Sequence, residues 1–299
     1  MNEPSVSITE PISSRRRAWN GTMRVLLYVS AVIICALLVF LIGYILYRGI
    51  PNLSWEFLTS EESVINDIEG ILPSIVNTVY VIIATLIIVL PLGVGSAIYL
   101  TEYATNKKLV SIIEFATETL SGMPSIIFAL VGMMVFCQAF GLGTSLIAGA
   151  LSLVMMTLPT IIRTTQESLK TVPQSYREGS LALGSGKWHM IRTVVLPSSI
   201  DGIVTGCILA VGRIVGESAI LMFTAGMGMR MAQFGGDSVG EFFSNFFGAA
   251  GSTLTVALYN YAKERADFNS AFAVAVVLLV IALAINVAAK LAGKKLKKN

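Results

Sequence analysis

Two segments in the middle of the chain, Glu178-Gly-Ser-Leu-Ala-Leu-Gly184 and Val194-Val-Leu196-Pro197, are separated by nine residues. The stretch that holds them is polar and mixed in charge, and long apolar segments flank it on both sides. Gly184 ends a run of helix formers, because glycine loses more backbone freedom in a helix than other residues do. Pro197 opens the next apolar segment, since proline has no N–H to lose at a helix start. The sequence predicts two short helices joined at Gly184, held outside the bilayer and shaped to dock into a partner's groove.

The composition is typical of a membrane protein. Of the 299 residues, 55% are hydrophobic and only 13% are charged, and the mean hydropathy is +0.76. A soluble domain carries about 25% charged residues. No basic face or cluster of stacking aromatic residues is present, so nucleic-acid binding is not expected. The three cysteines are widely spaced within apolar runs, which argues against a disulfide framework or a metal site.

Six apolar runs are candidates to cross the roughly 30 Å hydrocarbon layer. They cover residues 25–47, 72–100, 113–140, 145–162, 199–225 and 271–289. The first run lacks the short apolar core and small-residue cleavage site of a secretory signal, so we expect a retained span. A tight Gly141-Leu-Gly143 turn joins the third and fourth runs. Residues 226–270 are Gly-rich and aromatic, and we expect a short outward-facing amphipathic or partly re-entrant segment there.

The distribution of positive charge predicts the orientation of these spans. Six spans place both chain ends on the same side, and 16 of the 21 Lys and Arg residues fall on that side. Four fall on the opposite side and Arg213 lies within a span. By the positive-inside rule, residues 1–24, the loop around Gly184 and the basic tail 291–299 are then cytoplasmic.

The fifth run carries a pattern of small and charged residues. Gly202, Gly206, Ala210, Arg213 and Glu217 follow at steps of four, four, three and four, which places them on one helical face. The small residues let another helix approach closely. Arginine in the hydrocarbon costs about 2.5–3.5 kcal/mol on insertion scales, so Arg213 should face protein or a water-filled path. The alternative is an internal ion pair between Arg213 and Glu217 that only locks helices together.

The chemistry of Arg213 favours an anion as the transported species. Its guanidinium is always protonated, and the planar fork matches phosphate-like oxygens in a bidentate way. Glu217 would temper the positive field, so that an anion can leave as well as enter. Arg163, near the cytoplasmic end of the fourth run, is either a second contact or an interfacial anchor. We therefore predict a substrate path that involves Arg213, Glu217 and Arg163.

The glycines before Lys187 do not form a nucleotide site. A phosphate-binding P-loop needs Gly where Leu181 stands, and Ser or Thr where Trp188 stands. His189, the only histidine, has no nucleophile or carboxylate constellation near it in the sequence. We predict that the chain is not itself an enzyme, that it holds no cofactor or metal, and that any ATP hydrolysis belongs to another chain.

The central stretch resembles the cytoplasmic coupling loop of ABC-importer permeases, which has Glu, five residues, Gly, nine residues and then an aliphatic residue before Leu-Pro. This chain has Gly179 and Ser180 where that family usually has two alanines, and Val194 where Ile is commoner. In the family, the loop's helix sits in a cleft of the ATPase subunit and transmits ATP-driven closure. The resemblance assigns ATPase coupling to Glu178, Gly184, Leu196 and Pro197.

Three more stretches are similar to the A-type permease subunit of the bacterial high-affinity phosphate importer (Pst type). They are Gly93-Val-Gly-Ser-Ala-Ile-Tyr-Leu-Thr-Glu-Tyr-Ala104, Ser121-Gly-Met-Pro-Ser-Ile-Ile-Phe128 and Gly212-Arg-Ile-Val-Gly-Glu217. The resemblance implies an all-α membrane protein with six transmembrane helices, the type I ABC importer permease fold and cytoplasmic N- and C-termini. Residues 71–290 would form a five-helix permease domain with its coupling loop at 166–198, and residues 25–47 an added first helix.

The resemblance also implies the partners and the function. We expect a homologous C-type permease, two ATP-binding subunits and an extracytoplasmic phosphate-binding protein, in the plasma membrane of a bacterium. The chain would be the permease subunit of an ATP-driven importer of inorganic phosphate. One Arg and one Glu do not distinguish phosphate from sulfate or molybdate, so a permease for another oxyanion is an alternative. A non-transporting membrane sensor or scaffold is a second hypothesis, and a proton- or sodium-coupled carrier, which would not need the coupling loop, is a third.

Overall fold

The structure is a computed structural model that describes residues 14–62, 70–228, 245 and 248–298. Every regular element within those residues is a helix. Residues 1–48 and 49–299 form two separate compact units. Part of the expected re-entrant segment within 226–270, residues 229–244, 246 and 247, lies outside the described residues. The described part contains a short helix that continues into a π turn.

The first unit is a single long apolar helix. Helix α1 (Ser14–Gly49) contains 36 residues, which at 1.5 Å per residue corresponds to about 54 Å. The hydroxyls of Thr22 and Ser30 donate to backbone carbonyls of the preceding turn, so these polar groups are satisfied within the helix. The prediction of a helix long and apolar enough to cross a membrane over residues 25–47 is confirmed.

The second unit is a bundle of helices of very different lengths. After a 3-10 turn (Ile50–Asn52) it contains α2 (Trp55–Thr59), α3 (Leu72–Ile98), α4 (Lys107–Ser121), α5 (Ser125–Gly132), α6 (Leu146–Lys170), α7 (Gln174–Ala182), α8 (Lys187–Met190), α9 (Leu196–Gly216), α10 (Ala219–Thr224), α11 (Leu254–Tyr259) and α12 (Phe268–Lys298). Helices α3, α5, α8 and α11 continue directly into π-helical turns, at Tyr99–Tyr103, Met133–Ala139, Ile191–Val195 and Asn260–Glu264.

Helix α6 is the central helix of this bundle. It packs against α3, α4, α5, α9 and α10, and 67% of its most apolar window is buried, compared with 28% in α9 and α12. Apolar side chains from five helices meet around it, among them Val81, Phe128, Met156, Ile214 and Leu221. Side chains on α6 are therefore held in fixed positions relative to both α3 and α9.

Small residues allow α9 to approach α6 closely, as the spacing predicts. A Cβ atom added to Gly202 would collide with the side chain of Ser168, and one added to Gly206 would collide with Thr164. Ala210, one turn further along, is fully buried. The Ser168 hydroxyl also donates to the Ser199 carbonyl at 2.7 Å and ties the two helices together. The predicted helix–helix contact is confirmed.

The third predicted span is bent rather than straight. Residues 113–140 are divided between α4 and α5 with its π turn, and the two parts meet at an angle of 102°. Proline disfavours a helical conformation in the residue before it, so Pro124 ends the helix at the Ser121-Gly-Met break. None of the residues of α4 is buried. The described chain therefore has five helices long and apolar enough to cross a membrane, and six spans if the bent pair counts as one.

The bounds predicted for the fifth span, 199–225, are wrong at both ends. The helical segment begins at Lys187 in α8, runs through the π turn without a break and ends at Gly216. Glu217 has an extended backbone (φ −84°, ψ 120°), so α10 is a separate helix. Extrapolating the apolar run through Ala225 missed this break, because glycine at position 216 is a weak helix former whatever the hydropathy around it.

Candidate functional site

The segment between α6 and α9 contains two helices joined at Gly184, as predicted, but the second, α8, continues into α9 and is not a separate short helix. Helix α7 ends at Ala182 and α8 begins at Lys187, and Gly184 between them has φ +83°, a left-handed conformation that favours glycine. The hydroxyls of Ser180 and Ser185 lie 2.7 Å apart and brace the turn. We refer to residues 174–190 as the coupling segment.

The outer face of the coupling segment exposes large apolar side chains. Leu183 is 90% exposed at the tip of the turn, and Tyr176 and Trp188 are also exposed. Glu178 is exposed on the same segment. An uncovered apolar patch rimmed by polar residues is typical of a protein interaction site. The coupling segment therefore carries an exposed apolar surface that is a candidate for docking.

The inner end of the coupling segment is packed against the ends of two membrane helices. Met190, Ile191 and Val195 are buried in a cluster with residues of α3 and α6, and Leu196 packs against that cluster. Pro197 lies in the first turn of α9, directly after the π turn, so it lies within a continuous helical segment and does not open one as predicted. Because α8, the π turn and α9 are continuous, a displacement of α8 moves α9 directly.

Arg213 lies in the last turn of α9 and reaches across to α6. Its Nη1 atom donates to the Thr160 hydroxyl at 3.3 Å, and the residue is half-buried. No carboxylate of the described residues forms an ion pair with it. Thr160 and Arg163 are three residues apart on α6 and so share a face of that helix. The guanidinium of Arg213 therefore points to the face of α6 that also carries Arg163.

The ion pair between Arg213 and Glu217, considered above as the alternative, is absent from the described part of the chain. Glu217 lies beyond the end of α9, so the spacing of four does not place it on the helical face of Arg213. Its Oε1 atom instead accepts from the backbone N–H of Ile220 at 3.3 Å. Its backbone carbonyl accepts from the Thr255 hydroxyl at 3.0 Å, which links it to α11. Glu217 therefore holds the break between α9 and α10.

Arg163 belongs to a cluster of exposed ion pairs between α4 and α6. Its Nη1 atom lies 3.4 Å from Glu118 and its Nε atom 3.0 Å from Glu167, with 54% of its side chain exposed. Lys170 pairs with Glu114 at 3.2 Å. These side chains line a cavity of about 200 Å³. Arg163 is therefore partly neutralised by its own chain, whereas no carboxylate among the described residues forms an ion pair with Arg213.

Sequence reasoning missed a buried ion pair beneath the coupling segment. Arg177 of α7 donates from Nε and Nη2 to Glu102 Oε1, at 3.1 and 2.8 Å. The two residues are 75 positions apart in the chain, so no local spacing rule connects them. The available signal was a single carboxylate, Glu102, directly after a long apolar run, where an unpaired charge is costly to bury.

The sequence matches a known family of membrane proteins over most of its length. The profile of the family described as "Binding-protein-dependent transport system inner membrane component" matches residues 89–298. The chain belongs to this family. It is accordingly the permease component of an ABC importer, a multi-pass protein of the plasma membrane and not itself an enzyme.

Individual relatives of the permease support the same assignment. It is 42% identical to the "Probable ABC transporter permease protein YqgI" of Bacillus subtilis, over 67% of this chain and 68% of that protein. It is 31% identical to the "Phosphate transport system permease protein PstA" of Haemophilus influenzae, over 92% of this chain and 94% of that protein. The all-α permease fold is also that of a bacterial alginate ABC transporter in complex with its periplasmic protein (TM-score 0.63, 13% identity, 95% and 99% covered).

Proposed function

We propose that this permease carries inorganic phosphate across the membrane in an ATP-driven importer, with Arg213 as the main contact for the anion. The observation that carries the proposal is that, among the described residues, no carboxylate pairs with Arg213. Arg163, Arg177 and Arg265 each pair with a carboxylate within the described chain. Arg213 makes one hydrogen bond to a neutral hydroxyl.

A half-buried guanidinium without a carboxylate is suited to receive an anion from outside the chain. Burying a charge is costly unless it is paired, so Arg213 gains more from a transient anion than a paired arginine would. Its remaining N–H donors are arranged in a planar fork that suits two oxygens of one tetrahedral oxyanion. Arg163, one turn from Thr160 on the same face of α6, is then a second contact. The field of Arg163 is reduced by Glu118 and Glu167, which would let the anion leave.

The relatives support phosphate as the substrate. The Haemophilus influenzae relative and a Mycobacterium tuberculosis relative, 29% identical over 94% of this chain, are both named phosphate transport system permease proteins. We further propose that the path is completed by a homologous permease, since α6 leaves the Arg163 face exposed in the single chain. One of two ATP-binding subunits would dock on the coupling segment and the start of α9 through Glu178, Gly184, Leu196 and Pro197, and the second on the homologous permease. An extracytoplasmic phosphate-binding protein would deliver the anion.

The substrate can be tested by uptake into proteoliposomes that contain the assembled complex and ATP. Labelled phosphate should accumulate only when the phosphate-binding protein is added, and unlabelled sulfate or molybdate should not compete at equal concentration. Competition by either oxyanion would mean that the permease carries that oxyanion as well as phosphate, or in place of it. A complex that hydrolyses ATP with no uptake of any of the three would contradict the transport proposal and favour a sensor.

The orientation of the spans can be tested by thiol labelling in intact cells. In a background without Cys35, Cys137 and Cys207, a cysteine at exposed Gln174 should be protected from an impermeant reagent. One at exposed Glu61 should react. The expectation rests on the excess of Lys and Arg on the side of the coupling segment. Reaction at Gln174 from outside would place the coupling segment on the wrong side for an ATPase.

A further inference from the structure

Arg177 and Glu102 form a buried group of contacts beneath the coupling segment. Their side chains are only 12% and 6% exposed. Besides its two hydrogen bonds to Glu102, the Arg177 guanidinium donates to the backbone carbonyl of Val172 at 2.7 Å and to that of Leu169 at 2.9 Å. Four hydrogen bonds therefore converge on one side chain.

These contacts join three different elements at one point. Arg177 belongs to α7, Glu102 to the π turn that ends α3, and the Leu169 carbonyl to the last turn of α6. The last carbonyls of a helix have no partner within the helix, and a cation placed there is favourable. Arg177 thus caps α6 while it pairs with the end of α3.

Helix α7 also contacts α8 and the π turn that leads into α9. Apart from Arg177 and Ser180, its residues are exposed. At its N-terminal side, Pro173 ends the connection from α6, and at its C-terminal side Gly184 forms the turn. In α8, by contrast, Met190 is buried in the apolar cluster and the helix continues into α9. The Arg177 contacts therefore connect α7 directly to the ends of α3 and α6.

We propose that Arg177 and Glu102 act as a joint that makes α7 move together with the ends of α3 and α6. A displacement of the coupling segment then reaches these two helices instead of being absorbed by rotation of α7. Arg177 is a positioning residue and does not touch the transported anion. The inference rests on the proposed function, since it assumes that a partner moves the coupling segment.

The first test compares Arg177→Gln with Lys108→Gln in the reconstituted complex. Lys108 is exposed on α4, so its replacement removes one positive charge outside the joint. The measured quantity is the ATP hydrolysed per phosphate imported, which a general loss of folded protein does not change. Couplings between sites usually correspond to factors of about 5 to 150, so we expect this ratio to rise at least about fivefold in Arg177→Gln. The ratio for Arg177→Lys should lie between those of the unchanged protein and Arg177→Gln, because lysine keeps the charge but loses the planar fork.

The second test examines the joint itself and does not depend on transport. Spin labels at exposed Tyr99, at the end of α3, and exposed Tyr176, on α7, report the distance between these elements. We expect a narrow distance distribution in the otherwise unchanged protein and a broad one after Arg177→Gln. If the complex imports no phosphate, the proposed function is wrong. The distance measurement still tests whether Arg177 holds α7 to the end of α3.

Two results would contradict the proposal that Arg177 and Glu102 act as a joint. One is an unchanged ratio of ATP to phosphate in Arg177→Gln, and the other is a distance distribution that the substitution leaves narrow. If Arg177→Gln does not accumulate in the membrane, Glu102→Gln takes its place in both measurements. That variant keeps the arginine and its two carbonyl contacts but removes the ion pair, and the same two results would overturn the proposal.

Discussion

Replacing Arg213 with glutamine should abolish phosphate uptake while the permease still assembles with its partners. Removing one member of a buried, hydrogen-bonded charge pair costs about 2–5 kcal/mol, and each 1.4 kcal/mol is a factor of about ten. Uptake at a fixed phosphate concentration should therefore fall by at least about 30-fold. Because Arg213 has no carboxylate partner in the described chain, its loss leaves no buried charge uncompensated. We expect normal amounts of complex in the membrane and ATP hydrolysis that continues without transport.

Thr160→Val is the matched variant that tests whether Arg213 acts only through its contact with α6. It removes the hydroxyl that accepts from the guanidinium and leaves the charge in place. Uptake should remain close to that of the unchanged protein, since the guanidinium keeps its charge and the fork of N–H donors that would face the anion. If Thr160→Val loses as much uptake as Arg213→Gln, the arginine acts through its contact with α6 and not through the anion.

Glu217→Gln separates the two roles that the sequence suggested for this carboxylate. The amide oxygen of glutamine can still accept from the Ile220 N–H, so the break between α9 and α10 should persist. A loss of uptake with normal assembly would show that the negative charge itself is required near the path. Unchanged uptake would restrict Glu217 to holding the helix break.

Local signals in the sequence were sufficient for several features of the fold. Gly141 and Gly143 have φ values of +69° and +60°, so the predicted tight turn depends on residues within one short stretch. The turn at Gly184 is of the same kind. Pro197, by contrast, was expected at a helix start and lies within the continuous segment Lys187–Gly216. Glycine permits a left-handed backbone at its own position, which is why spacing alone located the turns.

Contacts between distant segments could not be read from spacing. Glu114 and Glu118 pair with Lys170 and Arg163, residues that lie 56 and 45 positions later in the chain. The prediction that Glu217 shares a helical face with Arg213 was wrong for a different reason. A step of four implies a shared face only while the helix continues, and α9 ends one residue before it. The residues of the candidate path could thus be named from the sequence, whereas their pairing required the structure.

Replacing Gly184 with valine should uncouple the permease from its ATPase by straining one backbone position. A left-handed conformation costs an L-residue about 1–2 kcal/mol, so ATPase association should weaken by about 5- to 30-fold. Gly186→Val is the control, because Gly186 has φ −71° and ψ 157°, which valine adopts readily. A Cβ atom at either position meets nothing within 4 Å, so the two variants differ in backbone strain and not in crowding within the chain. Co-purification of the ATPase measures the effect. Equal losses in both variants would mean that the added side chain, and not the turn at Gly184, disturbs docking.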